Sequence, residues 1–344
     1  MPRWATVVVA LLAAAGCSRR DRVGPDPATV HDAADAAVGP TLRRRVSGAH
    51  ELSCVATDAL YVRIEGKLLR FEGDAPPSEL TVPGTFASTT SWTARAGWLA
   101  WTESNGSVST WSTTAQRSGP TFRTMNDGDV PPLMLSSRHL LYITNRPHCA
   151  GPGAESCPSG DDLELGDLAT GSTRWIGLDF VVDIRGVAVQ GERIVVAHDF
   201  RLIDPKLSTA SLDEPDAGFV KTHEMARPSA VPASITFDGH AAYALVEGEL
   251  VRFEPTDGGA TKVLWRPPPT GAARTVFYND GALVLTVLEK GRDTLRVLDP
   301  SDGRMRFNVE TKSSVASAFI TRQGLAWCQS DGVFTIRRNA AGGE

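Results

Sequence analysis

Thr57-Asp58-Ala59-Leu60-Tyr61-Val62-Arg63-Ile64-Glu65-Gly66-Lys67-Leu68-Leu69-Arg70-Phe71 and Asp238-Gly239-His240-Ala241-Ala242-Tyr243-Ala244-Leu245-Val246-Glu247-Gly248-Glu249-Leu250-Val251-Arg252-Phe253 are two copies of one phrase. Each has a turn, a short apolar strand, a second turn at Glu-Gly, and then an alternating strand. Weaker copies begin near Ala96, Ser137, Gln190, Asp280 and Arg322, with Trp98-Leu99-Ala100-Trp101, Leu140-Leu141-Tyr142-Ile143, Ile194-Val195-Val196-Ala197, Leu283-Val284-Leu285-Thr286 and Leu325-Ala326-Trp327-Cys328 as their apolar strands. From Asp58 onward the starts are spaced by 38, 41, 53, 48, 42 and 42 residues.

A repeat of about 40 to 50 residues is the length of one four-stranded propeller blade. Asp-Gly pairs at Asp127, Asp238, Asp257, Asp280, Asp302 and Asp331 supply the positive-φ glycines that tight hairpins need. Helical periodicity is almost absent after residue 40. Two sandwiches would not carry one period across the middle of the chain. The expected fold is therefore all-β, a seven-bladed β-propeller. Its last repeat runs through Val315–Ile320, Leu325–Gln329 and Val333–Arg337 and then lacks a fourth strand. Thr41–Ser47, just ahead of the first full repeat, is placed to fill that gap and remove an unpaired edge.

Composition agrees. The 344 residues are 42% hydrophobic and 22% charged, with 32 Gly and 22 Pro, as in a turn-rich globular protein. A net charge of -5 excludes the strongly basic footprint of a nucleic-acid binder.

The amino terminus reads as an address. Met-Pro-Arg is followed by an apolar run from Trp4 to Ala15 and then Gly16-Cys17, the three regions of a secretory signal. The run is too short to span a bilayer as a helix. Ala14-Ala15-Gly16-Cys17 resembles the bacterial lipobox, although Ala14 stands where that motif favours Leu. The resemblance implies cleavage after residue 16 and acylation of Cys17, a membrane anchor of large apolar area. Ser18 to about Pro40 is rich in Ala, Asp, Pro and Arg without apolar period, a flexible tether about 25 Å from end to end. The expected organisation is a signal peptide over 1–16, lipidated cysteine and tether over 17–40, and the propeller over 41–344.

Asp167-Leu168-Ala169-Thr170-Gly171-Ser172-Thr173-Arg174-Trp175 and Leu298-Asp299-Pro300-Ser301-Asp302-Gly303-Arg304-Met305-Arg306-Phe307 resemble the strand-turn-strand endings of pyrroloquinoline-quinone-type propeller repeats, and Glu254 to Trp265 is a looser copy. Similar repeats occur in the bacterial lipoprotein propeller that assists outer-membrane barrel assembly. The resemblance implies a propeller in the cell envelope, facing the periplasm or the surface, and an assembly role as one alternative. Catalysis by the related quinone enzymes is not implied, because this chain lacks their adjacent cysteines.

Beyond Cys17, the cysteines are Cys54, Cys149, Cys157 and Cys328, an even number for an oxidising compartment. Three pairings are open. The simplest joins Cys149 to Cys157 across a polar insertion in the longest repeat. Cys54 would then meet Cys328, in first and last blades that a closed ring makes neighbours. Zinc held by His148, Cys149, Cys157, Asp161 and Asp162 is a weaker reading, since no close pair of metal-binding spacings exists. Asn126-Asp127-Gly128-Asp129 lacks the remainder of a calcium loop and reads as a hairpin.

No nucleophile elbow, phosphate loop or HExxH helix is present. His198-Asp199 are adjacent on a strand and so point to opposite faces. Accordingly no catalytic residue, metal or cofactor is assigned. The leading expectation is a binding or scaffold module for envelope proteins or polysaccharide, with no nucleic-acid partner. His148, Asp161 and Asp162 on the enlarged third repeat, together with Trp92 in its Ser/Thr-rich setting, are the candidate contact residues. The other tryptophans are expected between blades. An exported enzyme acting on carbohydrate or a small metabolite is the alternative, and it requires carboxylates or a metal at the channel mouth.

Overall fold

In a computed structural model of the chain, the described residues are 41–45, 53–57, 59–64, 67–71, 78–84, 86, 91–123, 133–147, 159–176, 183–200, 203–214, 219–224, 232, 234–254, 261–311, 313–321, 324–329 and 333–338. The signal, the lipidation candidate Cys17, the tether, His148, Cys149, Cys157 and Asn126 to Asp129 lie outside them.

The described strands are β1 (Thr41–Arg45), β2 (Ser53–Ala56), β3 (Leu60–Ile64), β4 (Lys67–Phe71), β5 (Ser78–Leu80), β6 (Trp92–Arg95), β7 (Trp98–Thr102), β8 (Ser107–Ser112), β9 (Arg117–Arg123), β10 (Leu133–Leu135), β11 (His139–Pro147), β12 (Ser159–Asp167), β13 (Thr173–Ile176) and β14 (Asp183–Gln190). They continue as β15 (Arg193–Phe200), β16 (Ile203–Ser211), β17 (Val220–Glu224), β18 (Ser234–Phe237), β19 (Ala242–Val246), β20 (Glu249–Phe253), β21 (Thr261–Trp265), β22 (Gly271–Asn279), β23 (Ala282–Glu289), β24 (Arg292–Leu298), β25 (Met305–Glu310), β26 (Val315–Thr321), β27 (Gly324–Gln329) and β28 (Val333–Arg338). Among the described residues they pair as seven four-stranded sheets, six of consecutive strands from β2 to β25 and one ordered β1-β28-β27-β26. The pairings are all antiparallel, as in a β-propeller.

The innermost strands β2, β6, β10, β14, β18, β22 and β26 each touch the next, and β26 returns to β2. We call the sheets blades 1 to 7 in that order, the last containing β1. On the upper face each innermost strand begins; on the lower face it turns back into the second strand.

The apolar phrases of the sequence are the second strands. These lie between neighbouring blades and are covered on both sides, so they read as continuous apolar runs rather than alternating ones. Leu60–Ile64 is buried throughout. The core is correspondingly divided into clusters at the seams. Leu141, Leu163 and Leu165 of blade 3 meet Ile184, Ile194 and Val196 of blade 4, and Val284 and Val297 of blade 6 meet Leu325 and Trp327 of blade 7.

Two features hold the closing blade. Thr41 to Arg45 pair with Arg337 to Val333, so the early chain supplies the outer strand; Val46 and Ser47 lie outside the described residues. Cys54 and Cys328 form a disulfide with Cα atoms 6.4 Å apart, across 274 residues of sequence. It joins blade 1 to blade 7, as ring closure requires.

The turns from third to fourth strand in blades 3 and 6 share one chemistry. Asp167 Oδ1 accepts from the amides of Ala169 and Thr170, and Asp299 Oδ1 accepts from the amide and hydroxyl of Ser301. Four residues on, Gly171 and Gly303 have φ of 75° and 77°, and each donates its amide to the carbonyl of that aspartate. These turns account for the repeated phrase at Asp167 and Asp299: a side-chain acceptor and a left-handed glycine at fixed spacing.

Candidate functional site

The axis of the ring is the first place to look for chemistry. Its lower part holds a cavity of about 160 Å³ whose lining includes Thr93, Arg95, Gln190, Phe277, Asn279 and Phe319. That is well below the roughly 300 to 1,000 Å³ of ordinary ligand pockets. No carboxylate is among its described lining residues. Hydrogen bonds cross the channel here. Arg95 of blade 2 donates Nη1 to the carbonyl of Val189 at 2.8 Å and Nη2 to Gln190 Oε1 at 2.7 Å, both on blade 4. Asn279 of blade 6 donates Nδ2 to the carbonyl of Thr57, past blade 1's innermost strand, at 2.6 Å, and the Thr57 hydroxyl donates to the carbonyl of Ala94. The Arg95 and Asn279 contacts tie non-adjacent blades together, and the Thr57 contact joins neighbouring blades 1 and 2.

Carboxylates near the upper face are engaged between blades. Asp161 on the third strand of blade 3 accepts the Ile184 amide of blade 4 at 2.9 Å. Asp293 on the third strand of blade 6 accepts the Val315 amide of blade 7 at 2.8 Å and the Ser314 hydroxyl at 3.1 Å. The two are equivalent: each stands six residues before the turn aspartate of its own blade. Near each, an innermost strand has a register shift at an arginine, on the following blade for Asp161 and on the same blade for Asp293. Arg185, between Ile184 and Gly186, binds Asp199 at 2.6 Å and Asp183 at 3.1 Å. Arg274, between Ala273 and Thr275, lies 3.3 Å from Asp293. Asp199 holds the Arg185 proton more firmly than usual, against the opposing effect of burial. His198 instead meets the Ser208 hydroxyl at 2.9 Å, so the adjacent His and Asp serve different contacts.

On the lower face Glu192 of blade 4 reaches back to blade 3. It accepts from the Ser136 hydroxyl at 2.8 Å, the Ser137 amide at 3.1 Å and the Ser137 hydroxyl, and it meets His139 Nδ1 at 2.9 Å. Burial raises the Glu192 carboxyl, but the hydrogen bonds from Ser137, His139 and Ser136 outweigh it and leave it below its ordinary value. Serine and histidine both address the carboxylate, so this is a clamp and not a nucleophile relay.

Two of the expected contact residues, Trp92 and Asp162, are corrected by this geometry. Trp92 is buried, 8% exposed. It begins the innermost strand of blade 2, donates Nε1 to Ser53 Oγ at 2.8 Å, and packs edge-on against Phe86 with centroids 5.5 Å apart. Arg63 lies over both rings. Its Ser/Thr-rich setting suggested exposure, but the ring fills the seam between blades 1 and 2. Asp162 is also buried, 2% exposed, so it presents no surface contact. Asp161 is committed to blade 4, as above. Sequence reasoning missed the clamp role of Asp161 and Asp293; their common offset from Asp167 and Asp299 was the available signal. His148, Cys149 and Cys157 lie outside the described residues, but the strands flanking them, ending at Pro147 and starting at Ser159, are paired at the upper face.

The sequence matches no family model and no curated protein. The fold is shared with solved structures. A virginiamycin B lyase from Staphylococcus aureus, an inactive variant solved with quinupristin, is similar at a TM-score of 0.57 and 10% identity, over 87% of this chain and 99% of that one. A prolyl endopeptidase is similar at 0.59 and 13% identity over 89% of this chain, which spans 48% of the endopeptidase. At these identities the likeness is one of fold alone. The function must be argued from this chain's residues.

Proposed function

We propose that the protein is a lipoprotein anchored through Cys17, whose seven-bladed propeller acts as a binding or scaffold module for proteins or polysaccharide of the bacterial cell envelope. The single observation that carries this reading is the use of the polar groups around the axis. Arg95 and Asn279 in the channel, and Asp161, Asp293 and Glu192 between blades at its faces, hold blades to one another, and the cavity lined by Arg95 and Asn279 is small. Recognition is then the work of the strand connections at the faces. The insertion between Pro147 and Ser159, in the longest repeat of the sequence pattern, is the proposed contact element.

The test is crosslinking in intact cells followed by capture of the full chain, with and without residues 150–156. Loss of a specific partner on deletion supports the reading, and an unchanged partner set overturns the loop assignment. The anchor is tested separately. Incorporation of a palmitate analogue, abolished by Cys17→Ser, is the expected result; an unlabelled mature chain contradicts it.

A further inference from the structure

The seam between blades 2 and 3 is apolar in its lower part and polar above it. Leu140 and Tyr142 of blade 3 pack there with Ala100, Val108 and Phe122 of blade 2. Alternate residues of a strand share a face, and so do direct cross-strand partners. Tyr142 and Thr144 on β11 therefore turn toward blade 2 together with Glu164 and Asp162, their partners on β12. All four are buried: Tyr142 and Thr144 are 0% exposed, Asp162 2% and Glu164 6%. Below them the Phe122 ring closes the seam, so near to Gly166 that a Cβ there would meet it at 2.5 Å. From blade 2, buried Thr102 stands two residues beyond Ala100 on the same side.

The fold does not require polar groups at this place. Asp161 and Asp293 are equivalent, so Asp162 and Glu164 correspond to Thr294 and Arg296 of blade 6. Their partners there are Val287 and Leu285, which are buried in an apolar cluster between blades 5 and 6. In blade 3 two carboxylates enter a closed seam side by side, a costly arrangement unless positive charge compensates it. Both carboxylates make further interactions. The Thr144 hydroxyl is different: fully buried opposite Asp162, it has no hydrogen-bond partner. A hydroxyl and a carboxylate that face each other without a hydrogen bond are arranged as two oxygen ligands, not as donor and acceptor. Burial, and then the charge of Glu164, raise the Tyr142 hydroxyl well above its ordinary value, which places that carboxylate close to the ring's polar end.

We propose that the upper part of the seam between blades 2 and 3 is a binding site for a calcium ion, with Asp162, Glu164 and Thr144 as its protein ligands. Every donor is oxygen, the ligand set of a hard cation, and no histidine or cysteine joins it among the described residues. Calcium accepts an irregular set of about six to eight oxygens and takes water for the remainder, whereas magnesium needs a regular octahedron at shorter distances. Bound there, the ion neutralises both carboxylates and gives the Thr144 oxygen a partner. It thereby stabilises the seam between blades 2 and 3.

The purified full chain, stripped of cations with a chelator, is titrated with calcium chloride, and binding is read by calorimetry beside the thermal midpoint. Calcium is expected to bind at a single site and to raise the midpoint as its concentration rises. Asp162→Asn and Glu164→Gln should each weaken binding by about tenfold or more and remove most of the rise, with near-ultraviolet circular dichroism checking the fold. Thr144→Val supplies the side chain that blade 6 carries at Val287. Its metal-free midpoint should equal or exceed that of the wild type, because a buried hydroxyl without a partner is removed, while its calcium affinity falls; Thr144→Ser keeps the affinity. Glu310→Gln, exposed on the outer strand of blade 6, leaves binding unchanged. No calcium binding by the stripped chain, an unchanged affinity in Asp162→Asn, Glu164→Gln or Thr144→Val, or equal stabilisation by magnesium chloride overturns the proposal. Neither acylation of Cys17 nor the partner of the insertion enters the measurement, so this reading and the proposed function fail separately.

Discussion

Blades 6 and 7 are built on the same four-stranded plan but from differently connected chain. Blade 6 is contiguous from Gly271 to Glu310, and its second strand is buried on both sides by Val276 and Leu298 in one cluster and Val297 and Leu325 in another. Blade 7 takes three strands from one end of the chain and its outer strand from the other. Its extra fastening, the bridge from Cys328 to Cys54, has no counterpart among the described residues of blade 6. The difference teaches where cooperativity must be imposed. A contiguous hairpin array closes short loops at little entropic cost, whereas blade 7 must close a loop of nearly the whole chain before its contacts form.

The largest effect of a point substitution is expected at that fastening. Cys54→Ser with Cys328→Ser removes a constraint across 274 residues, on the order of 5 kcal/mol in the chain-entropy treatment. Thermal or denaturant unfolding under oxidising conditions should show it, and an unchanged midpoint would mean that the strand pairing alone secures the ring. Next come truncations in the two second strands. Leu285→Ala in blade 6 and Leu325→Ala in blade 7 both empty fully buried sites and should each cost about 2 to 5 kcal/mol. If closure is the weak point, the blade 7 variant also accelerates local opening, measured by hydrogen exchange, while the blade 6 variant lowers global stability only.

Turn chemistry ranks below core packing. Gly303→Ala places a Cβ 2.1 Å from the Leu264 carbonyl oxygen at φ of +77°, a strained contact with backbone. A loss of roughly 1 to 3 kcal/mol is expected, with little effect on blade 7. A loss below the error of the unfolding curves would show that the turn relaxes freely.

The smallest expected effect is at Glu192. Its folded carboxyl value is lowered, so its contribution is present above the ordinary value of 4.5 and is lost as pH falls through the lowered folded value. Glu192→Gln should cost about 1 kcal/mol near neutrality and flatten that part of the acid limb in a series of melts. An acid limb identical to that of the wild type would remove Glu192 from the account of the seam between blades 3 and 4.

Much of the architecture could be read because propeller second strands are covered on both sides. Leu60 to Ile64 and Leu283 to Thr286 stand out as apolar runs between turns, and the missing fourth strand after Val333 pointed back to Thr41. Innermost strands gave little signal: Leu133–Leu135 is three residues long, and Gly271–Asn279 alternates exposed and half-buried positions around a bulge. The site was less legible for a different reason. Asp161, Asp162 and Trp92 look like surface residues because charge and Ser/Thr neighbours usually mean solvent. Asp161 is engaged by the Ile184 amide of the adjoining blade, and Trp92 is buried against Phe86 and Ser53. Such partners are distant in sequence or follow no periodic pattern, so only the repeated offset of Asp161 and Asp293 from their turn aspartates carried the information.

The central claim is that the ring is closed by the early chain pairing with the last strand. Native-state hydrogen exchange on a chain lacking residues 41–45 tests it most directly. The account predicts that amides of Val333 to Arg338 lose protection while those of Ala282 to Leu298 in blade 6 keep theirs. Unchanged protection over Val333 to Arg338 would contradict it.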